Sequence, residues 1–401
     1  MLFSSRCKYL PDICDNLREK PYLWTSKATD MKKIIAGCIG ALMLGACTSM
    51  KQKETMENMY LMVGSYATPE EEGIKIYAWD NENGEAAYLS GVKGISNPSY
   101  QVVSADGNRV YSVGEDEGET STVHAISFDK TKGVLTLMNA LLTQGGAPCY
   151  VNLSPDGKWV ITANYMGGNI TVVPLESSGR LSENVSTFAF TGEGENKIRQ
   201  SQPHLHCVEF TPDGKFLLAN DLGMDKIHVF PLASDGRLDK ENAFDVELEA
   251  GSGPRHLCFS KDGRFAYLIN ELSGKVTTLI YNGRSLEPIQ YIEADTVGAR
   301  GSADIHLSSD GKFLYASNRL KADGIAIFSV IQETGMLTKV GYQLTGIHPR
   351  NFIITPDGRF LLVACRDSNL VQIFSRDKET GLLVDTGKTI ETSKPVCLKF
   401  I

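Results

Sequence analysis

One short phrase recurs along this chain and constrains its fold more than any other feature. An Asp-Gly pair between two apolar runs falls at 106, 156, 213, 262, 310 and 357, at spacings of 50, 57, 49, 48 and 47 residues. Self-similarity at such a period marks a repeat architecture. "APCYVNLSPDGKWVITANY", "GPRHLCFSKDGRFAYLINEL" and "HPRNFIITPDGRFLLVACRD" share one grammar. A proline or small residue opens an alternating strand, Asp-Gly turns the chain, and a second strand ends in polar residues. Asp-Gly favours a two-residue hairpin loop, so each phrase predicts two antiparallel strands. Two further strand-like runs fill each unit, as "KVTTLIYN" and "LEPIQYIEA" do after Asp262. Four strands in about 50 residues predict a propeller blade.

The chain ends supply the seventh unit. "KPVCLKFI" at the C-terminus matches an opening strand and stops before any turn; "YLMVGSY" (60–66) matches a second strand. Pairing the two closes the ring and removes the exposed edges. The expected fold is therefore all-β: a seven-bladed propeller of four-stranded blades over residues 58–401. A WD40 repeat is excluded, because the single Trp-Asp pair, Trp79-Asp80, is out of register.

The first 57 residues divide differently. "MKKIIAGCIGALMLGACTSM" from Met31 has a basic start and an apolar run too short to span a bilayer. "LGAC" ends at Cys47 and resembles a bacterial lipobox. Residues 31–47 thus read as a lipoprotein-type signal, 1–30 as an extension preceding the true start, and 48–57 as a linker. Lipidation at Cys47 would anchor the protein in the cell envelope, its only expected membrane contact. If the leader is not used, the location is cytoplasmic. The remaining five cysteines lie in strand-like runs without CxxC pairs, which argues against disulfides and zinc. A net charge of −8 argues against a nucleic-acid partner.

In a blade, the start of the first strand and the end of the second share one mouth of the channel. Counting from the fixed turns gives a first ring of Ser99, Cys149, His206, Arg255, Ala303, Arg350 and Val396. The second ring is Ser65, Glu115, Tyr165, Leu222, Glu271, Arg319 and Arg366. These positions vary while the turns repeat, as expected where an asymmetric ligand binds. Four arginines, two glutamates and a histidine meet there. Buried charges must pair with each other or with a ligand, and arginine's fork suits carboxylate or phosphate. The mouth therefore reads as an anion pocket, which disfavours a metal ion; no cofactor is expected. In "QPHLH", strand alternation puts His204 and His206 on one face, where His204 is either a supporting group or plain packing. His124, His228 and His306 read as ordinary core or surface residues.

"QPHLH", "GPRHL", "INEL", "SADIHLSSDGKFLYASNR" and "HPRNF" together resemble the propeller-type lactonase family, over nearly all of 60–401. Its members include bacterial 6-phosphogluconolactonases and fungal carboxymuconate-lactonising enzymes. The resemblance implies functional residues at His206, Arg255, Glu271 and Arg319. Around them, His204, Asp221, Asn270 and Arg350 are candidate substrate-binding groups. The implied chemistry is hydrolysis of a small anionic lactone such as 6-phosphogluconolactone, with His206 activating water and the arginines holding the anion. An exported enzyme for another lactone, or a non-catalytic envelope binding propeller, remain the alternatives. A monomer or weak dimer is expected.

Overall fold

The computed structural model describes residues 59–233 and 237–401. Segments 1–30, 31–47 and 48–57, with the lipobox-like Cys47, lie outside them. The described residues form seven sheets of four antiparallel strands each. Six sheets are built from consecutive strands. In the seventh, the last strand, Pro395–Phe400, pairs with the first, Met59–Ser65, which pairs with Ile74–Asp80 and then Glu85–Val92. We number that sheet blade 1 and the others blades 2 to 7 in chain order.

The core lies between blades, and strand alternation builds it. In the strand Phe265–Asn270, Phe265, Tyr267 and Ile269 pack against Leu314 and Ala316 of blade 6. Ala266 and Leu268, pointing the other way, pack against Leu218 and Ile227 of blade 4. A strand buried on both faces reads as a continuous apolar run. Each buried Leu or Ile contributes about 1.5–3 kcal/mol relative to exposure.

The Asp-Gly turns differ from the two-residue loop expected. Between Pro148–Leu153 and Trp159–Asn164 the loop spans 154–158. The Ser154 hydroxyl donates to Asp156 Oδ1 at 2.6 Å, and Gly157 N–H donates to the Ser154 carbonyl at 2.8 Å. Gly157 has φ +68°. Thr211, Ser260, Ser308 and Thr355 repeat the hydroxyl–Asp bond at 2.6–2.8 Å. So the repeating signal is Ser/Thr-x-Asp-Gly, a longer turn stitched by its own side chains. A Cβ at Gly157 would meet nothing within 4 Å, so only the backbone opposes it. Gly157→Ala should therefore lower unfolding free energy by about 1–2 kcal/mol. Denaturant unfolding checks this, and an unchanged midpoint would contradict it.

Candidate active site

The mouth is built from β-bulges. In six of the blades the innermost strand loses register with its neighbour just after its opening residue. The skipped residues are Cys149, His206, Arg255 with His256, Ala303 with Asp304, Arg350 and Val396. A bulge frees a residue from the ladder and re-aims its side chain. Six of the seven positions counted as the first ring are bulged; Ser99, in blade 2, is the exception.

Glu271 is the hub. Its Oε2 accepts Arg255 Nε at 3.0 Å and pairs with Arg319 Nη2 at 3.1 Å; its Oε1 accepts Arg199 Nη2 at 2.7 Å. Burial alone would raise the Glu271 carboxyl, but Arg319, Arg255 and Arg199 together hold it at about 2. Arg255 is 1% exposed. Its Nη1 donates to the Ala303 carbonyl at 2.6 Å and to His256 Nε2 at 3.1 Å. His256 Nδ1 lies 2.8 Å from Asp304 Oδ1. Burial and Arg255 push His256 down to about 3, so it is a neutral imidazole donating to Asp304. Arg319 Nε donates to the Gly301 carbonyl, and its Nη1 approaches His348 Nε2 at 3.3 Å.

His206 sits across from this hub. Its ring lies 5.2 Å from His256 and 5.6 Å, edge-on, from Tyr165. Its Nδ1 is buried without a hydrogen-bond partner. Burial, Arg255 and His256 hold its pKa well below the usual value, so His206 is neutral at physiological pH. Arg350 is the loosely held arginine. It stacks 5.4 Å from the Tyr66 ring and reaches Glu115 only at 3.8 Å. Among the described residues, Arg199, Arg255, Arg319 and Arg350 thus pair with Glu271 and Glu115 alone, an excess of two positive charges.

The structure brings His206, Arg255, Glu271, Arg319 and Arg350 to one mouth. It places the other candidates differently. His204 stacks on Tyr165 at 4.2 Å and bonds its carbonyl through Nδ1, so the two histidines of "QPHLH" bracket that tyrosine. Asp221 is fully buried in blade 4, accepting from His204 N, Gly223 N and His228. Asn270 donates across its own blade to Lys275 O and Thr277 Oγ1. Asp221 thus braces the sheet behind the mouth, while Asn270 uses its amide nitrogen within the blade and keeps Oδ1 buried without a hydrogen-bond partner. Arg366 is a correction: its strand ends at Cys365, it starts a 3-10 turn, and its guanidinium turns onto Asp367. Cys149 is buried, and burial pushes its thiol far up, away from a nucleophilic thiolate. His228 lies inside blade 4 between Asp221 and Asp245. Sequence reasoning missed Arg199, His256 and Asp304.

These imidazoles make stability depend on pH. Burial lowers His124 to about 4 and His256 and His348 to about 3. Below about 6.5 the unfolded chain takes protons that these folded residues refuse, so stability falls with pH. Glu271 and Asp304, held low, add to the loss at still lower pH. His228 is raised by Asp221 and Asp245 despite its burial, and works in the opposite direction. With His206 also lowered, four imidazoles outweigh one. Unfolding free energy should be lower at pH 5 than at pH 7.5 by about 2 kcal/mol or more. An equal or higher denaturant midpoint at pH 5 would refute this.

Comparison with known proteins bears on the whole ring. The family model described as "Lactonase, 7-bladed beta-propeller" matches residues 60–400. The 6-phosphogluconolactonase of Bacillus subtilis is 35% identical over 346 residues, covering 84% of this chain and 97% of that one. A crystallised Bacteroides fragilis protein, provisionally assigned as a 6-phosphogluconolactonase, is 52% identical with a TM-score of 0.82, covering 87% and 99%. The periplasmic gluconolactonase PpgL of Pseudomonas aeruginosa is 34% identical with a TM-score of 0.79, covering 86% and 99%. Fold, ring closure and these matches lead to one conclusion: the chain belongs to the seven-bladed β-propeller lactonase family.

Proposed function

We propose that the protein is a lactone hydrolase whose preferred substrate is a phosphorylated sugar lactone, 6-phosphogluconolactone. The observation that carries the reading is a neutral His206, with an unpartnered buried Nδ1, beside a mouth with two uncompensated positive charges. A phosphate monoester carries about −1.5 to −2 at pH 7 and matches that excess.

The chemistry follows from the side chains. Water must add to the lactone carbonyl carbon, and the ring C–O bond must then break. Neutral His206 accepts the proton of the attacking water and returns it to the departing ring oxygen. Arg255 has Nη2 free of partners among the described residues, and it polarises the carbonyl as negative charge develops. Arg350, with no hydrogen bond among the described residues, is free to hold an anionic group of the substrate. Glu271 fixes Arg255 and Arg319 in place. An anion entering the mouth offsets the Arg255 and Arg350 charges that add to burial in depressing His206, and so raises its basicity.

The relatives named 6-phosphogluconolactonase support this substrate. PpgL, named a periplasmic gluconolactonase, favours a second reading: an exported enzyme for an unphosphorylated lactone. Export would also agree with the lipobox-like Cys47. One assay separates the two. Acid release is followed from freshly made 6-phosphogluconolactone, gluconolactone and a carboxymuconolactone, above spontaneous hydrolysis. The expected result is the highest kcat/KM on the phosphorylated lactone. Preference for gluconolactone would favour the second reading, and no turnover of any lactone would overturn both.

A further inference from the structure

The Asp-Gly spacing of 57 residues, against 47–50 elsewhere, marks extra chain before blade 4. In the structure the connection from Ser186–Ala189 to Leu205–Phe210 runs through 190–204, whereas 345–348 suffices between blades 6 and 7. This longer connection reaches the mouth. It is pinned by Gln200, which is fully buried and donates to the Leu222 carbonyl and Asp225 Oδ1 at 2.9 and 2.7 Å. Gln200 Oε1 also accepts Asn196 N–H at 2.9 Å. The neighbouring residue, Arg199, is thereby held over Glu271 on fixed backbone.

Arg199 differs from the other two arginines on that carboxylate. Arg255 and Arg319 are 1% and 7% exposed and share Oε2. Arg199 is 39% exposed and is the partner of Oε1, with a second bond from the same Nη2 to the Tyr165 hydroxyl at 3.3 Å. It is the outermost cation of the cluster, so incoming anions meet it first. Its ion pair, open to water, is the weakest of the three to break.

We propose that Arg199 is a substrate clamp: it leaves Glu271 Oε1 for the phosphate of an incoming sugar lactone. The same movement uncovers Oε1, within the mouth, as an acceptor for a hydroxyl of that ligand. A guanidinium binds phosphate by a bidentate fork as readily as it binds carboxylate, so the exchange needs only a side-chain rotation. Losing one of its three cations also relaxes the hold that keeps the Glu271 carboxyl at about 2. The clamp rests on the reading of this mouth as a lactone site, and it adds to Arg350 a second phosphate-binding arginine, carried on an inter-blade connection.

The test uses the stable open-chain products as probes. Binding of 6-phosphogluconate and gluconate is measured by calorimetry at fixed ionic strength, for wild type, Arg199→Gln and Arg199→Lys. Lys197→Gln serves as a control, since Lys197 is exposed on the same connection and pairs with Glu193. The affinity ratio of phosphorylated over unphosphorylated product should fall about 10- to 100-fold in Arg199→Gln. It should fall less in Arg199→Lys and stay at the wild-type value in Lys197→Gln. An unchanged ratio in Arg199→Gln, or no binding of either product by wild type, overturns the clamp. If wild type hydrolyses no lactone but the ratio still collapses in Arg199→Gln, the clamp stands and the hydrolase reading falls.

Discussion

Glu271→Ala should destabilise the propeller by about 3–5 kcal/mol, the cost of leaving a buried pair without one partner. Arg255 and Arg319 are nearly enclosed and both rest on Oε2, so both guanidinium groups are left poorly solvated when the carboxylate goes. Arg199, more exposed, turns outward and adds little to the loss. Against a total stability of about 5–15 kcal/mol this is a large fraction, and the urea midpoint should drop sharply. Glu271→Gln should fall less, because an amide oxygen still accepts one of the three bonds. The vacated cluster should also bind anions in the carboxylate's place. Added phosphate should then raise the midpoint of Glu271→Ala more than that of wild type. An alanine variant as stable as wild type would show that the three contacts do not hold the mouth together.

His206→Gln should reduce kcat on 6-phosphogluconolactone by about 10²- to 10⁴-fold, the range of a lost general base. Folding should be retained, since Nδ1 makes no hydrogen bond whose loss would be felt. The pH dependence carries the sharper test. The neutral imidazole is the active form, and burial with Arg255 and His256 holds its pKa well below 6.5. For free enzyme, kcat/KM should therefore be flat through neutral pH and decline only in acid. Bound anionic substrate offsets the arginine charge, so the acid limb of kcat should lie at higher pH than that of kcat/KM. Wild-type turnover in His206→Gln would remove this residue from the chemistry.

The fold was legible because six of the seven blades carry the same turn, and a turn that stitches Ser or Thr to Asp before a glycine cannot vary freely. Much of the mouth was legible for the same reason: counting from fixed turns lands on the bulged residues His206, Arg255 and Arg350. His256 and Asp304 escaped because strict alternation sends them away from their neighbours Arg255 and Ala303. The register there skips two residues together, which no period of two anticipates. Arg199 escaped because it stands outside the repeat, and only the 57-residue spacing hinted at its loop. Arg366 was misplaced because a counted strand position became the start of a 3-10 turn.

The pairing of Pro395–Phe400 with Met59–Ser65 has a consequence for biosynthesis. A chain made from its N-terminus holds six complete blades and an unfinished first one until Pro395–Phe400 emerges. Until then Met59–Ser65 is an open edge with its hydrogen-bonding groups unmatched, able to recruit a strand from another molecule. A transcript truncated by only a few codons would yield the same open edge permanently. Val396, Cys397 and Leu398, all buried, would be lost with it. Pro395–Phe400 is in this sense a closing signal: a chain that carries it pairs the edge of Met59–Ser65, and one clipped before it presents that edge for aggregation or proteolysis.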